Sequence, residues 1–210
     1  MSDFEKTWKG GGSNFGGRLK ETLQPQKDLK RKVNHAVRAM DNQGRRMDTN
    51  IVGLQQKDRQ YYLKIVEALK QSDKDRATFY ANELAEVRKT LRSMRQAKLA
   101  LEQVSLRLTT VKDVGDLAST LGPAISVLRS LRGALSGVFP SVDEEFGAIS
   151  DLMHTLVSDV GQMGGIGVSA TTATEEAEKI LKDAERQVET DMKEQLPSVP
   201  EMEGTTGIQF

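Results

Sequence analysis

Apolar positions along this chain recur at helical spacing almost throughout. From Pro25 onward they fall at Val33, Val37, Met40, Gly44, Met47, Ile51 and Leu54, then at Tyr61 and Ile65, in steps of four and three interrupted by Asp58. Such a row lies along one face of a helix and requires a partner helix over its length. Pro25 suits a first helical turn. At about 1.5 Å per residue, a helix over most of 26–71 would be roughly 70 Å long. Gly44 and Gly53 would each cost about 1 kcal/mol relative to Ala, which suggests close approach or bending there.

The polar run Gln71-Ser72-Asp73-Lys74-Asp75 reads as a tight turn and helix cap. A second seam follows at Ala77, Tyr80, Leu84, Val87, Leu91, Met94, Ala97, Leu101, Val104, Leu108 and Val111. Its consecutive three-residue steps at 91, 94 and 97 form a local stammer. Two long helices joined by so short a turn must be antiparallel neighbours.

The later elements are shorter. Leu117, Leu121, Ile125, Leu128, Leu131 and Leu135 make a third helical pattern, with Gly122-Pro123 read as a kink or boundary. Pro140 closes that region. Ser141 with Glu144 reads as a capping box for a fourth helix, whose seam is Val142, Phe146, Ile149, Met153, Leu156 and Val160. Thr172 with Glu175 forms another, opening a helix with apolar positions at Ala177, Leu181, Ala184 and Val188. The expected organisation is a flexible leader over 1–24 and a helical core over 25–160. Within the core, a hairpin spans about 25–113 and short helices about 116–160. A Gly-rich hinge over 161–171, an acidic helix over 172–195 and an extended tail over 196–210 complete it. The fold class is all-α: a long antiparallel helical hairpin, then shorter helices and an acidic C-terminal helix.

Composition sharpens this picture. Aromatics are 5% of 210 residues and hydrophobics 37%, too few large side chains for a broad globular core. The absence of Cys excludes disulfides and thiolate chemistry and fits a reducing cytosol. No apolar run approaches membrane-spanning length, and the N-terminus does not read as a secretory signal.

Formal neutrality conceals a charge split. Residues 1–112 carry 24 Lys/Arg against 13 Asp/Glu, a net of +11; residues 113–210 carry 6 against 17, a net of −11. Within the second half, 113–132 is neutral, so a neutral arm separates two charged blocks. The positive block can meet a polyanion, and the negative block can fold back to cover it. Lys27, Lys30, Arg31, Lys32, Arg38, Arg45 and Arg46 crowd the first half of helix one. The alternatives are a solvated coiled-coil face, an anionic membrane surface and a nucleic-acid groove; stacking aromatics for the last are missing from the cluster. In the leader, Phe4 and Trp8 stand four apart beside Lys6 and Lys9. They read either as a wedge into a headgroup layer or as part of a plain flexible terminus.

The order of elements resembles the ESCRT-III family, and its archaeal cell-division members in particular, over roughly 27–200. The stretch from Leu84 to Leu108, continuing into Thr109-Thr110-Val111-Lys112, is similar to the family's second helix. Glu194-Gln195-Leu196-Pro197-Ser198-Val199-Pro200-Glu201 looks like the proline-containing MIT-interacting motif. Two prolines hold such a segment extended and so reduce the entropy lost on docking. Leu196 and Val199 can enter a groove between helices, while Glu194 and Glu201 meet a basic rim. The bland alternative is a generic Pro-containing tail.

The resemblance implies a filament-forming subunit that constricts or severs membranes, acting in archaeal cell division at the inner face of the membrane. Implied partners are further copies of itself, paralogous ESCRT-III subunits, an anionic membrane and an AAA ATPase bearing an MIT domain; nucleic acid is disfavoured. Glu175, Glu176, Glu178, Asp183, Glu185, Glu189 and Asp191 of the acidic helix would restrain the basic hairpin in a closed form. Only Met202 to Phe210 follow the motif, fewer than the wing-like segment of some archaeal paralogues needs, so recruitment through a paralogue is expected. A non-polymerising coiled-coil adaptor that tethers partners by its tail is the alternative.

No enzymatic chemistry is expected. His35 and His154 lie on different helices without an HExxH pair. The glycines of 161–167 lack a following Gly-Lys-Ser/Thr and a preceding strand, so they are not read as a phosphate loop. No cofactor or metal is expected.

Overall fold

The computed structural model describes residues 15–137, 139–164 and 170–199, with side chains over 27–137, 139, 142, 144–163 and 173–199. All regular elements among the described residues are helices: α1 (Phe15–Lys70), α2 (Lys74–Thr109), α3 (Val114–Leu135), α4 (Pro140–Gly164) and α5 (Ala170–Gln195).

α1 and α2 form the expected hairpin. Met40, Met47, Ile51, Leu54 and Ile65 of α1 are buried, as are Leu84, Leu91, Met94, Leu101, Val104 and Leu108 of α2. The turn reverses the chain in three residues because both helix ends are satisfied locally. Ser72 adopts φ 58°, its N–H donates to the Leu69 carbonyl at 3.0 Å, and the Asp73 N–H donates to that of Ala68 at 2.9 Å. This is a Schellman closure with serine where glycine is usual. The Asp73 carboxylate then accepts from the Arg76 N–H at 3.0 Å and caps α2.

The remaining helices fold against the hairpin. α3 contacts α2, α4 and α5; α4 also lies on α1, and α5 also lies on α2. Every predicted seam position of α4 is buried, with Phe146 fully inaccessible. Ala97, Ala100, Ala118, Ala124, Ala177 and Ala184 are buried where these helices meet. Short side chains permit close helix approach, so a chain poor in aromatics still closes a continuous core.

Several boundaries differ from the sequence expectation. α1 starts at Phe15 and runs through Pro25, so the helix claims the end of the expected leader. Extending an existing helix avoids the nucleation cost that deters an isolated one. α3 is continuous through Pro123, which therefore marks no boundary. Pro140 opens α4 instead of closing the previous region, and α5 begins two residues before Thr172. The proposed hinge is entered from both sides, by α4 to Gly164 and by α5 from Ala170. Gly44 and Gly53 permit no close approach within this chain: a Cβ on either would meet nothing within 4 Å.

Candidate functional site: a basic helix face and a docked tail

At 100° per residue, Lys27, Arg31, Arg38 and Arg45 fall in one narrow sector of α1, opposite the seam. All four are exposed, as is Lys30. Lys27, Lys30, Arg31, Lys32, Asn34, His35 and Arg38 border an open hollow of about 590 Å³. Arg31 pairs with Asp28 at 3.1 Å and Arg45 bonds Asn42 at 3.1 Å, both on the water-facing side. Lys27, Lys30 and Arg38 have no side-chain partner among the described residues. Further along the same face, Val52 and Leu63 are 52% and 58% exposed. This face combines unneutralised cations with apolar side chains, which suits an anionic interface.

Two of the predicted cations are treated differently. Lys32 meets Asp159 at 2.6 Å and Arg46 pairs with Glu145, both across the α1–α4 contact. The helix that neutralises part of the basic cluster is therefore α4, a role the sequence reading had given to α5. The reason lies in the pattern of α5. Its buried stripe is Ala173, Ala177, Ile180, Ala184, Val188 and Met192, with Leu181 half-buried, and this stripe docks on α2 and α3. Glu175, Glu176, Glu178, Glu185 and Glu189 consequently point to water, and Asp183 pairs within its own helix with Arg186 at 3.7 Å. Asp191 is partly buried. Arg107 reaches Glu176 at 3.0 Å, an exposed pair of the kind worth at most about 1 kcal/mol. Apolar docking, more than charge, seats α5.

Beyond α5 the chain does not leave the surface. Arg95 Nη2 donates to Gln195 Oε1 at 2.8 Å, and Arg88 Nη2 donates to the Pro197 carbonyl at 2.8 Å. The same Arg88 donates from Nε to Asp58 Oδ2 at 2.7 Å. Asp58, which breaks the apolar seam in sequence, is 3% exposed. Leu196 packs against the main core, and Val199 packs on a second cluster of Ile65, Ala81 and Leu84 bordered by Tyr61, Tyr62 and Tyr80. The expected extended tail is thus seated on the hairpin as far as Val199, while Glu194 remains exposed. Phe4, Lys6, Trp8, Lys9, Pro200 and Glu201 lie outside the described residues.

His35 and His154 are exposed on different helices, and among the described residues no three His, Cys, Asp or Glu could jointly hold a metal ion. No helix there is long and apolar enough to cross a membrane.

The Snf7 family model matches residues 35–204, well over half the chain. The chain belongs to the Snf7, or ESCRT-III, family. Members of this family are structural proteins of membrane remodelling, not enzymes, in agreement with the reading of the sequence. Cell division protein B1 of Sulfolobus acidocaldarius is 34% identical over 198 residues, covering 94% of this chain and 90% of that protein. Cell division protein B of the same organism is 29% identical over 180 residues, covering 82% of this chain and 69% of the relative. No solved structure matches. The Snf7 match takes in α1 from His35, α2, the three shorter helices and the docked tail, so the Arg46–Glu145 pair and the Arg88 clasp lie inside the matched region, while Lys32 lies just before it.

Proposed function

We propose that this chain is a filament-forming subunit of archaeal cell division, which remodels the membrane at the division site from its cytoplasmic face. The observation that carries the reading is the basic outer face of α1 on an ESCRT-III hairpin, with α4 neutralising its flank. The names of the Sulfolobus relatives supply the cellular setting. The described arrangement is the closed form. In the open form α4 and α5 leave the hairpin, Lys32 and Arg46 join the cationic face, and further copies or paralogues cover the exposed seams. The L-P-x-V-P motif then presents the subunit to an MIT-domain AAA ATPase for disassembly.

The test weakens the cover while leaving the cations in place. Asp159→Asn with Glu145→Gln in the full chain should increase co-sedimentation with anionic vesicles, in a salt-sensitive way, and promote filaments in negative-stain micrographs. Unchanged lipid binding would reject the role given to α4. Absence of filaments in both proteins, with and without vesicles, would favour the non-polymerising adaptor.

A further inference from the structure

The elbow between α2 and α3 borders a cavity that the basic outer face of α1 does not use. α2 ends at Thr109 and α3 starts at Val114, while α1 runs on to Phe15. The elbow is tight because both helix ends are satisfied locally. The Thr110 N–H donates to the Leu106 and Arg107 carbonyls, and the Asp113 carboxylate accepts from the Asp116 N–H at 2.9 Å. Three helices therefore converge around a space of about 330 Å³ that none of them fills. Its wall is largely apolar: Leu29, Val33, Leu108 and Leu117 are buried there, and Val111 and Val114 are half-buried. Two cations stand on its border, Lys30 of α1 and Lys112 of the elbow, both exposed and without a side-chain partner among the described residues. The carboxylate on the border, Asp113, is committed to the α3 cap. An apolar cleft of this size with a few convergent polar groups has the make-up of a small-ligand site.

We propose that this cavity takes one hydrocarbon chain of an anionic membrane lipid, whose phosphate pairs with Lys30 and Lys112. The inference rests on the membrane part of the reading above and adds to it a site of different physics. A space of this volume equals roughly ten water molecules of liquid, enough for a short stretch of alkyl chain. Water gains little from such walls, so each methylene that replaces it is favourable. Two unpaired cations beside a carboxylate already spent on a cap set the sign of the headgroup. Salt separates this site from the outer face of α1. Counter-ions screen exposed cations, whereas burial of a chain does not depend on screening. The cavity is formed with α3 folded back, so a closed subunit holds a lipid before α4 leaves α1.

The experiment titrates the full, unaltered chain with monomeric butyl, hexyl and octyl phosphate and follows backbone amide resonances. Saturable shifts confined to residues 29–34 and 108–117 are expected, with affinity rising roughly two- to fourfold per methylene. Inorganic phosphate and octyltrimethylammonium should each bind more than about tenfold more weakly than octyl phosphate. Affinity independent of chain length would reduce the site to a surface anion site, and equal binding of the cationic amphiphile would remove the headgroup role; either overturns the proposal, as does the absence of saturable shifts. Two variants localise the binding. Val114→Phe fills the cavity and should abolish it, and Lys112→Gln, away from the α1 cluster, should weaken octyl phosphate while sparing octanol. Vesicles of equal phosphatidylglycerol and phosphatidylcholine then test the bilayer as the source. At about 1 M salt, where the Debye length is about 3 Å, the parent should retain a bound fraction that Val114→Phe loses, while both bind at low salt. A parent that binds no vesicles at any salt would overturn the membrane reading and this site with it. Low-salt binding that vanishes equally from both proteins in salt leaves the membrane reading standing and refutes the site. A lipid-free parent oligomer that Val114→Phe dissociates would assign the cavity to a second copy and refute it too.

Discussion

Removing the Asp58 carboxylate is the sharpest test of how the hairpin and tail are joined. Asp58 is 4% exposed at its side chain and Arg88 18%, with Nε and Oδ2 2.7 Å apart. Breaking a buried ion pair from one side typically costs 3–5 kcal/mol, because the other charge stays desolvated. Here Arg88 keeps the Pro197 carbonyl and some water, so Asp58→Leu should cost about 2–3 kcal/mol. For a chain of this size, about 1 kcal/mol shifts Tm by roughly 2–4 °C, so a fall of about 4–12 °C is expected. The double variant Asp58→Leu with Arg88→Met removes both charges and restores an unbroken apolar seam. It should recover most of the loss, since apolar replacements of buried pairs are often neutral or stabilising. The assay is a double-mutant cycle by chemical denaturation followed by far-UV circular dichroism. Additive losses in the double variant, or an Asp58→Leu chain as stable as the parent, would refute the reasoning.

Other outcomes follow from single features of the fold. Ser72→Gly should stabilise the hairpin by about 0.5–1 kcal/mol in denaturant titration, because φ 58° strains any residue with a Cβ; a loss would mean the serine hydroxyl matters more than the strain. Gly44→Ala and Gly53→Ala should each stabilise the isolated chain by about 1 kcal/mol, since the new methyl meets open space. If either then impairs assembly, that glycine is needed for contacts between subunits. Lys98 is held above its ordinary value of 10.5 chiefly by its hydrogen bond to Asp48, with burial opposing. A raised folded-state value means this contribution is present below 10.5 and is lost as pH climbs through the folded value. Lys98→Met should therefore lower stability at neutral pH, where the contribution is fully present, and flatten the alkaline limb, so that variant and parent converge above the folded value; an unchanged limb would assign it to other groups.

The hairpin was legible in the sequence because a narrow seam of period near 3.5 has one solution, a partner helix of similar length joined by a short turn. The α4 seam was legible for the same reason, since all six of its predicted positions are buried. Helix ends were read less well. Capping signals compete with propagation from helices already formed, so α1 ran on through Pro25 and α3 through Pro123. Ile180 and Met192 were missed on α5, although their three- and four-residue spacing from Ala177, Ala184 and Val188 would have shown them. What the sequence determined by itself was therefore local: which faces are apolar, where the chain turns, and that one half is cationic. Which face meets which helix was decided by tertiary packing. Net charge suggested that acidic α5 should cover the cations, yet its small apolar stripe seats it on α2 and α3 and turns most of its glutamates to water. Two carboxylates of α4 meet Lys32 and Arg46 instead, and Asp58, which looked like a break in the seam, holds the arginine that grips the tail. Such pairings join residues 30 to 127 positions apart, a range over which periodicity carries no information.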